Sequence, residues 1–266
     1  VIDTHCHLTF PEFRGRTAEI LDEAAAHGVR GAITVATTLD DAERALALAR
    51  GDDRLWSTAG VHPLYADRPA AETRDWERMR ACGLDPRCVA WGELGLDRHY
   101  PTPTEAEQRL VLDEQLAAIV AWRKEGLAKP VVIHCRDAFA ELIPILAATG
   151  LPADRFVFHC FTGGPADAKL VLDFGAWISF TGIVTFRNAV AVAEAAKLVP
   201  GDRLLAETDS PFLTPEPFRT LRPNRPRFVA EVVRFLAELR GEPVASLAEA
   251  TDANAERFFG IRLPNP

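Results

Sequence analysis

Short apolar runs alternate along this chain with longer amphipathic stretches. The runs cover Val1–Thr4, Gly31–Ala36, Leu55–Val61, Val89–Gly92, Pro130–His134, Phe156–His159, Trp177–Phe180 and Leu204–Asp209. Apolar runs this short, bounded by turn signals, read as strands buried on both faces of a parallel sheet. Helical periodicity predicts helices over Thr17–His27, Leu39–Arg50, Ala71–Arg80, Thr104–Glu125, Asp137–Thr149, Pro165–Phe174, Asn188–Val199 and Arg225–Leu239, with an extra one near Val244–Phe259. Eight strand–helix units predict an α/β fold, a TIM-type (β/α)8 barrel, as a single domain over residues 1–266. A doubly wound open sheet is the competing architecture. It is disfavoured because no Gly-x-Gly-x-x-Gly turn follows the first run. Gly28 and Gly150 stand where helix C-caps are expected, and Asp137 where an N-cap is expected. The Pro-rich segment Pro211–Pro226 reads as an ordered loop over the site.

Polar residues gather where the apolar runs end. His5, His7, Glu93, His134, His159 and Asp209 all stand at or near the carboxyl ends of predicted strands, the rim at which barrel enzymes carry their chemistry. Strand residues i and i+2 share a face, so His5 and His7 point into the barrel mouth together. By the same alternation Cys6, Cys135 and Cys160 face the helix layer as buried thiols. Imidazole suits borderline cations and carboxylate suits harder ones, so the set predicts two divalent ions, with magnesium, manganese and zinc all compatible. Glu93 is the candidate bridge. His5, His7 and Asp209 complete one shell, and His134 and His159 serve the other. Asp209 is also the candidate acceptor of a water proton, which makes Asp209 and Glu93 the catalytic pair. His62, Arg136 and Glu207 are candidates for contacting substrate. Asp97 and Glu207 are further placed to orient a ligand imidazole. Phe161, Phe186 and Phe218 are candidates for stacking bases, with packing as the competing role.

The 266 residues include 30 basic and 38 acidic side chains, a formal charge of −8. That balance does not suggest a broad basic face for nucleic acid, so a phosphate would be met locally by cations and a few arginines. Five cysteines and no membrane-length apolar stretch predict a cytoplasmic protein with reduced thiols. The first residues lack the basic and apolar regions of a secretory leader.

Six longer segments carry a family likeness. Asp3-Thr4-His5-Cys6-His7-Leu8, Gly60-Val61-His62-Pro63, Gly92-Glu93-Leu94-Gly95-Leu96-Asp97, Phe158-His159-Cys160-Phe161-Thr162-Gly163, Ile178–Phe186 and Glu207-Thr208-Asp209-Ser210-Pro211 resemble the TatD family of metal-dependent deoxyribonucleases, over Ile2 to about Phe259. The resemblance implies a barrel of the amidohydrolase superfamily, two divalent ions and hydrolysis of phosphodiester bonds by 3′–5′ exonuclease action on single-stranded DNA. It places the ligands at His5, His7, Glu93, His134, His159 and Asp209. One segment departs from the family pattern. Pro217-Phe218-Arg219-Thr220 stands where Pro-His-Arg-Gly is usual, which bears on substrate choice. The rival readings are a hydrolase of another bond on the same centre, such as a D-aminoacyl-tRNA ester, and a non-catalytic metal-holding module. A monomer with nucleic acid as substrate and no membrane association is expected.

Overall fold

A computed structural model describes residues 1–264; of the expected domain 1–266, residues 265 and 266 lie outside the described residues. Eight parallel strands form one sheet in the order β1 to β8: β1 Ile2–Cys6, β2 Gly31–Thr34, β3 Leu55–Ala59, β4 Cys88–Asp97, β5 Val131–Arg136, β6 Phe156–Phe158, β7 Trp177–Phe180 and β8 Leu204–Ala206. The helices between them are α1 Thr17–Ala26, α2 Leu39–Gly51, α3 Ala70–Thr73, α4 Trp76–Gly83, α5 Glu105–Lys124, α6 Phe139–Ala148, α7 Pro165–Phe174 and α8 Val190–Leu198, with α9 Val229–Arg240 and α10 Val244–Phe259 after the last strand. This is the expected (β/α)8 barrel. Consecutive strands pair because each crossover helix returns the chain beside the strand it left.

The core has two main parts. Outward side chains such as Ile133, Phe156, Phe158, Ile178 and Phe180 pack under the helices. Inward side chains from the lower strands, among them Ile33, Val132, Val157, Trp177 and Leu205, pack against Phe258 and Phe259 of α10. The extra helix therefore closes the amino-terminal end of the barrel and leaves the carboxyl rim open.

The sheet closes between β1 and β8 just beyond their regular ends. Asp209 N donates to His5 O at 2.8 Å, and His7 N donates to Ser210 O at 2.8 Å. Below them the buried Asp3 carboxylate accepts from Thr208 N at 2.8 Å and from Thr208 Oγ1 at 2.5 Å. Burial pushes the Asp3 carboxyl up to about 8, against the opposing pull of the Thr208 hydrogen bonds.

Several local expectations are corrected. The helix expected over Ala71–Arg80 is two helices, because the Asp75 side chain caps α4 by accepting from Arg78 N. Asp137 does not cap α6. It adopts a left-handed backbone (φ 56°), and no side chain caps that helix. Strand β4 runs on through Asp97, and its register against β5 jumps between Trp91 and Leu94. Glycine makes this possible. A Cβ at Gly95 (φ 152°) would lie 1.8 Å from His134 O. Gly95→Ala is therefore expected to cost about 3 kcal/mol or more, as for severe overpacking against backbone that cannot give. Gly126→Ala, at φ 93° in open space, should cost only its backbone strain of about 1–2 kcal/mol. Urea unfolding of the two variants measures both, and equal losses would contradict this account of β4.

Candidate metal centre

Each candidate side chain owes its direction to the backbone beside it. His5 lies within β1. His7 lies one step past it, but its bond to Ser210 O keeps the strand alternation going, so both imidazoles face inward. Glu93 projects from the irregular middle of β4, and His134 from β5. His159 follows β6, held by its N–H to Ile133 O at 3.0 Å. Asp209 follows β8 with a left-handed backbone (φ 54°) fixed by His5 O.

These side chains converge on Glu93, which is only 2% exposed. Its two oxygens face different groups. Oε1 lies 3.6 Å from Nε2 of both His5 and His7. Oε2 lies 2.7 Å from His159 Nε2, 3.6 Å from His134 Nδ1 and 3.7 Å from His62 Nε2. Asp209 Oδ1 stands 3.3 Å from His7 Nε2 and 3.8 Å from His5 Nε2. Three overlapping sets have ligand atoms all within 4.8 Å of one another: His5, His7 and Glu93; His5, His159 and Asp209; and His62, Glu93 and His134. His159 thus sits with His5, whose ring it stacks at 3.8 Å, as well as near His134. Both ring nitrogens of buried His5 have no hydrogen-bond partner, and His159 Nε2 and Glu93 Oε2 approach at 2.7 Å without making a hydrogen bond. Buried polar atoms left this way are costly, and a donor set of imidazole and carboxylate fits a divalent cation.

The outer ring nitrogens fix which lone pairs face inward. His7 Nδ1 lies 2.9 Å from Val35 O. A carbonyl only accepts, so Nδ1 carries a proton, and Nε2 is the nitrogen that presents a lone pair to the centre once its own proton has left. His134 Nε2 donates to Asp97 Oδ2 at 3.0 Å, so Nδ1 is the nitrogen that faces inward, toward Glu93 and His62. His159 Nδ1 approaches Glu207 Oε1 at 3.3 Å, and its Nε2 points at Glu93. Orienting partners of this kind are usual behind metal-binding imidazoles.

His62 is the reverse case. Leu64 N donates to its Nδ1 at 3.0 Å, so the neutral ring carries its proton on Nε2, which faces His134 Nδ1 at 3.1 Å. Burial, together with the neighbouring imidazoles, lowers His62 to about 3 against the pull of Glu93, so the ring is neutral at pH 7. Proximity groups His62 with the ligands, but its tautomer makes it a hydrogen-bond donor.

The carboxylates set the charge of the rest. Burial presses the His7 imidazolium down, but the Asp209 hydrogen bond and the charges of Glu93 and Asp209 outweigh it and raise His7 to about 9. Burial opposes ionisation of Asp97 too, yet bonding to His134 lowers its carboxyl to about 2. Surrounding imidazoles hold Glu93 well below the usual range despite its burial.

The centre opens into a cavity of about 600 Å³ lined by His7, His62, Arg136 and Asp209 together with Phe10, Tyr100 and Phe212. Arg136 holds its guanidinium 5.5 Å from the Tyr100 ring centre. Glu207 is placed differently from the sequence reading. It is 1% exposed, and it accepts from Cys160 N and Ser179 Oγ behind His159 rather than lining the cavity. Cys160 lines the cavity instead of facing the helices, because the chain turns to φ 43° there and strand alternation has ended. Phe161 is buried against Phe139 and Phe180, Phe218 packs on Phe228, and Phe186 lies under Arg219. The aromatic side chains that do reach the cavity, Phe10, Tyr65, Tyr100 and Phe212, lie in loops or, for Tyr65, a single 3-10 turn, with no periodicity to mark them. Phe10 follows closely on His7, and that proximity was the one available signal.

A parallel eight-stranded barrel with imidazoles and carboxylates converging at its carboxyl rim suits metal-dependent hydrolysis. The model for TatD related DNase matches residues 2–260, and the chain belongs to that family. It is 38% identical over 264 residues to the uncharacterized metal-dependent hydrolase YcfH of Escherichia coli K12, covering 98% of this chain and 96% of the relative. It is 35% identical over 267 residues to the 3′–5′ ssDNA/RNA exonuclease TatD of Escherichia fergusonii, covering 98% and 99%. The crystal structure of YJJV, a TatD homolog from Escherichia coli K12, superposes with a TM-score of 0.89 at 32% identity, covering 98% of each chain.

In the metal-free protein His7 keeps its proton until the pH climbs through about 9, whereas a ligand nitrogen must be bare. Adding manganese at pH 7 should therefore release protons, and apparent affinity should rise as the pH rises toward about 9. Calorimetry in two buffers of different ionisation enthalpy measures the release; identical heats would contradict it.

Proposed function

We propose that this enzyme hydrolyses phosphodiester bonds of single-stranded nucleic acid from the 3′ end, with two divalent cations held by His5, His7, Glu93, His134, His159 and Asp209. One observation carries the reading: the two oxygens of buried Glu93 face separate groups of imidazole nitrogens, as a carboxylate bridging two cations must. Relatives named as single-stranded DNA and RNA exonucleases support the substrate class. The cations, when bound, activate a water molecule and neutralise phosphoryl oxygens.

The chain's own residues do the rest. Asp209 is the most exposed of the two central carboxylates, at 14% against 2% for Glu93. His5 and His7 hold it ionised although burial opposes this. It therefore can accept the proton of the attacking water. His62 lines the cavity with its Nε2–H beside His134, where a bound phosphate oxygen can compete for it, and Arg136 adds a guanidinium on the cavity wall. Asp97 and Glu207 act as positioning residues for His134 and His159. The barrel works as one catalytic unit, a monomer in a reducing cytoplasm. All five cysteines are free, and among the described residues no helix is long and apolar enough to cross a membrane.

End-labelled single-stranded DNA in single-turnover assays tests this. Chelator should abolish cleavage, and manganese or magnesium should restore it. Asp209→Asn should lower the rate about 10²–10⁴-fold, the range for loss of a general base, while strand binding persists. Faster turnover of an aminoacyl ester, or no cleavage with magnesium, manganese, cobalt or zinc, would overturn the reading.

A further inference from the structure

Beside the catalytic cavity lies a second one, also of about 600 Å³. Phe10, Thr37 and Tyr65 line both. Phe10 stacks on His7 at 4.9 Å and Tyr65 meets the His62 ring edge-on at 6.0 Å. The two aromatics thus form a sill between the cavities, each touching an imidazole of the centre.

Beyond the sill, three arginines, Arg14, Arg44 and Arg68, and one acid, Asp41, line the wall. Asp41 is 2% exposed. Its Oδ2 accepts from Thr37 N and its Oδ1 from Arg44, so its charge is already engaged. Among the described residues Arg14 has no carboxylate within 4.0 Å, and the nearest to Arg68, Glu72, is 3.9 Å away. Arg68 holds its guanidinium 4.4 Å from the Tyr65 ring centre. The wall therefore offers a net excess of guanidinium charge and two aromatic rings in a protein of charge −8. Most other surface arginines are paired, as Arg54 is with Asp22 and Asp52 and Arg78 is with Asp40 and Glu43.

Guanidinium groups bind phosphate in a fork, and aromatic rings stack bases whatever their identity. We propose that this groove is a strand-holding subsite. Arg14 and Arg68 take backbone phosphates of a single strand, and Phe10 and Tyr65 stack the bases that lead into the metal centre. The inference rests on the nuclease reading and deepens it, because an exonuclease must grip the body of a strand on one side of the bond it cuts.

The test is the fluorescence anisotropy of end-labelled oligothymidylate with the full chain in chelator, so that binding is read without cleavage. The double variant Arg14→Ala/Arg68→Ala should bind at least about tenfold more weakly. Its plot of log affinity against log salt should flatten by about 1.4, two contacts at about 0.7 each. Arg14→Lys/Arg68→Lys should restore the salt slope but only part of the affinity, since lysine keeps the charge and loses the fork. Circular dichroism and unfolding midpoints establish that the variants fold. Equal affinity and slope for the wild type and the alanine variant, or no binding by the wild type, would overturn the groove. Cleavage that persists with affinity unchanged would sink the groove alone, whereas a strand bound through the arginines but never cut would sink the nuclease reading alone.

Discussion

The arrangement depends on one buried carboxylate. Glu93 is ionised at the bottom of a mouth ringed by five imidazoles. Burying a charge costs heavily unless it is paired, and here every neighbour that compensates it is also a candidate ligand or substrate contact. The imidazoles are in turn oriented from behind: Val35 O fixes His7, Asp97 fixes His134 and Glu207 stands behind His159. Removing Glu93 would leave these imidazoles facing one another without the charge that compensates them.

Barrel closure and site geometry are the same set of bonds. The seam between β1 and β8 is made by Asp209 N to His5 O and by His7 N to Ser210 O, so three candidate ligands sit on the backbone that closes the cylinder. Across the barrel, Gly92 and Gly95 let β4 approach β5 where side chains would collide with Val132 O and His134 O. That approach sets Glu93 against His134. Fold stability and the positions of the ligand atoms are coupled by construction, whereas the loops carrying Phe10, Tyr100 and Phe212 can vary without opening the barrel.

Much of this was legible in the sequence because it depends on period and spacing. Apolar runs predicted all eight strands, and the i, i+2 rule predicted that His5 and His7 share a face. Reading failed where alternation stops. Cys160 follows the end of β6 with a left-handed backbone, so the expected outward direction no longer applied. Glu207 was recognised as facing inward, but its depth behind His159 depends on Ser179 and Cys160, which come from other strands. The tautomer of His62 depends on Leu64 N–H in the turn that follows β3, and the groove beside the centre on residues from three separate loops and helices. None of these leaves a periodic trace.

The central claim is that the groups around Glu93 would hold two cations, with Glu93 in contact with both. A crystal soaked in manganese, with anomalous diffraction collected at the metal edge, tests it most directly. The account predicts two peaks about 3.5–4 Å apart, one beside Oε1 near His5 and His7 and one beside Oε2 near His134. A single peak, or manganese bound without contact to either Glu93 oxygen, would contradict it.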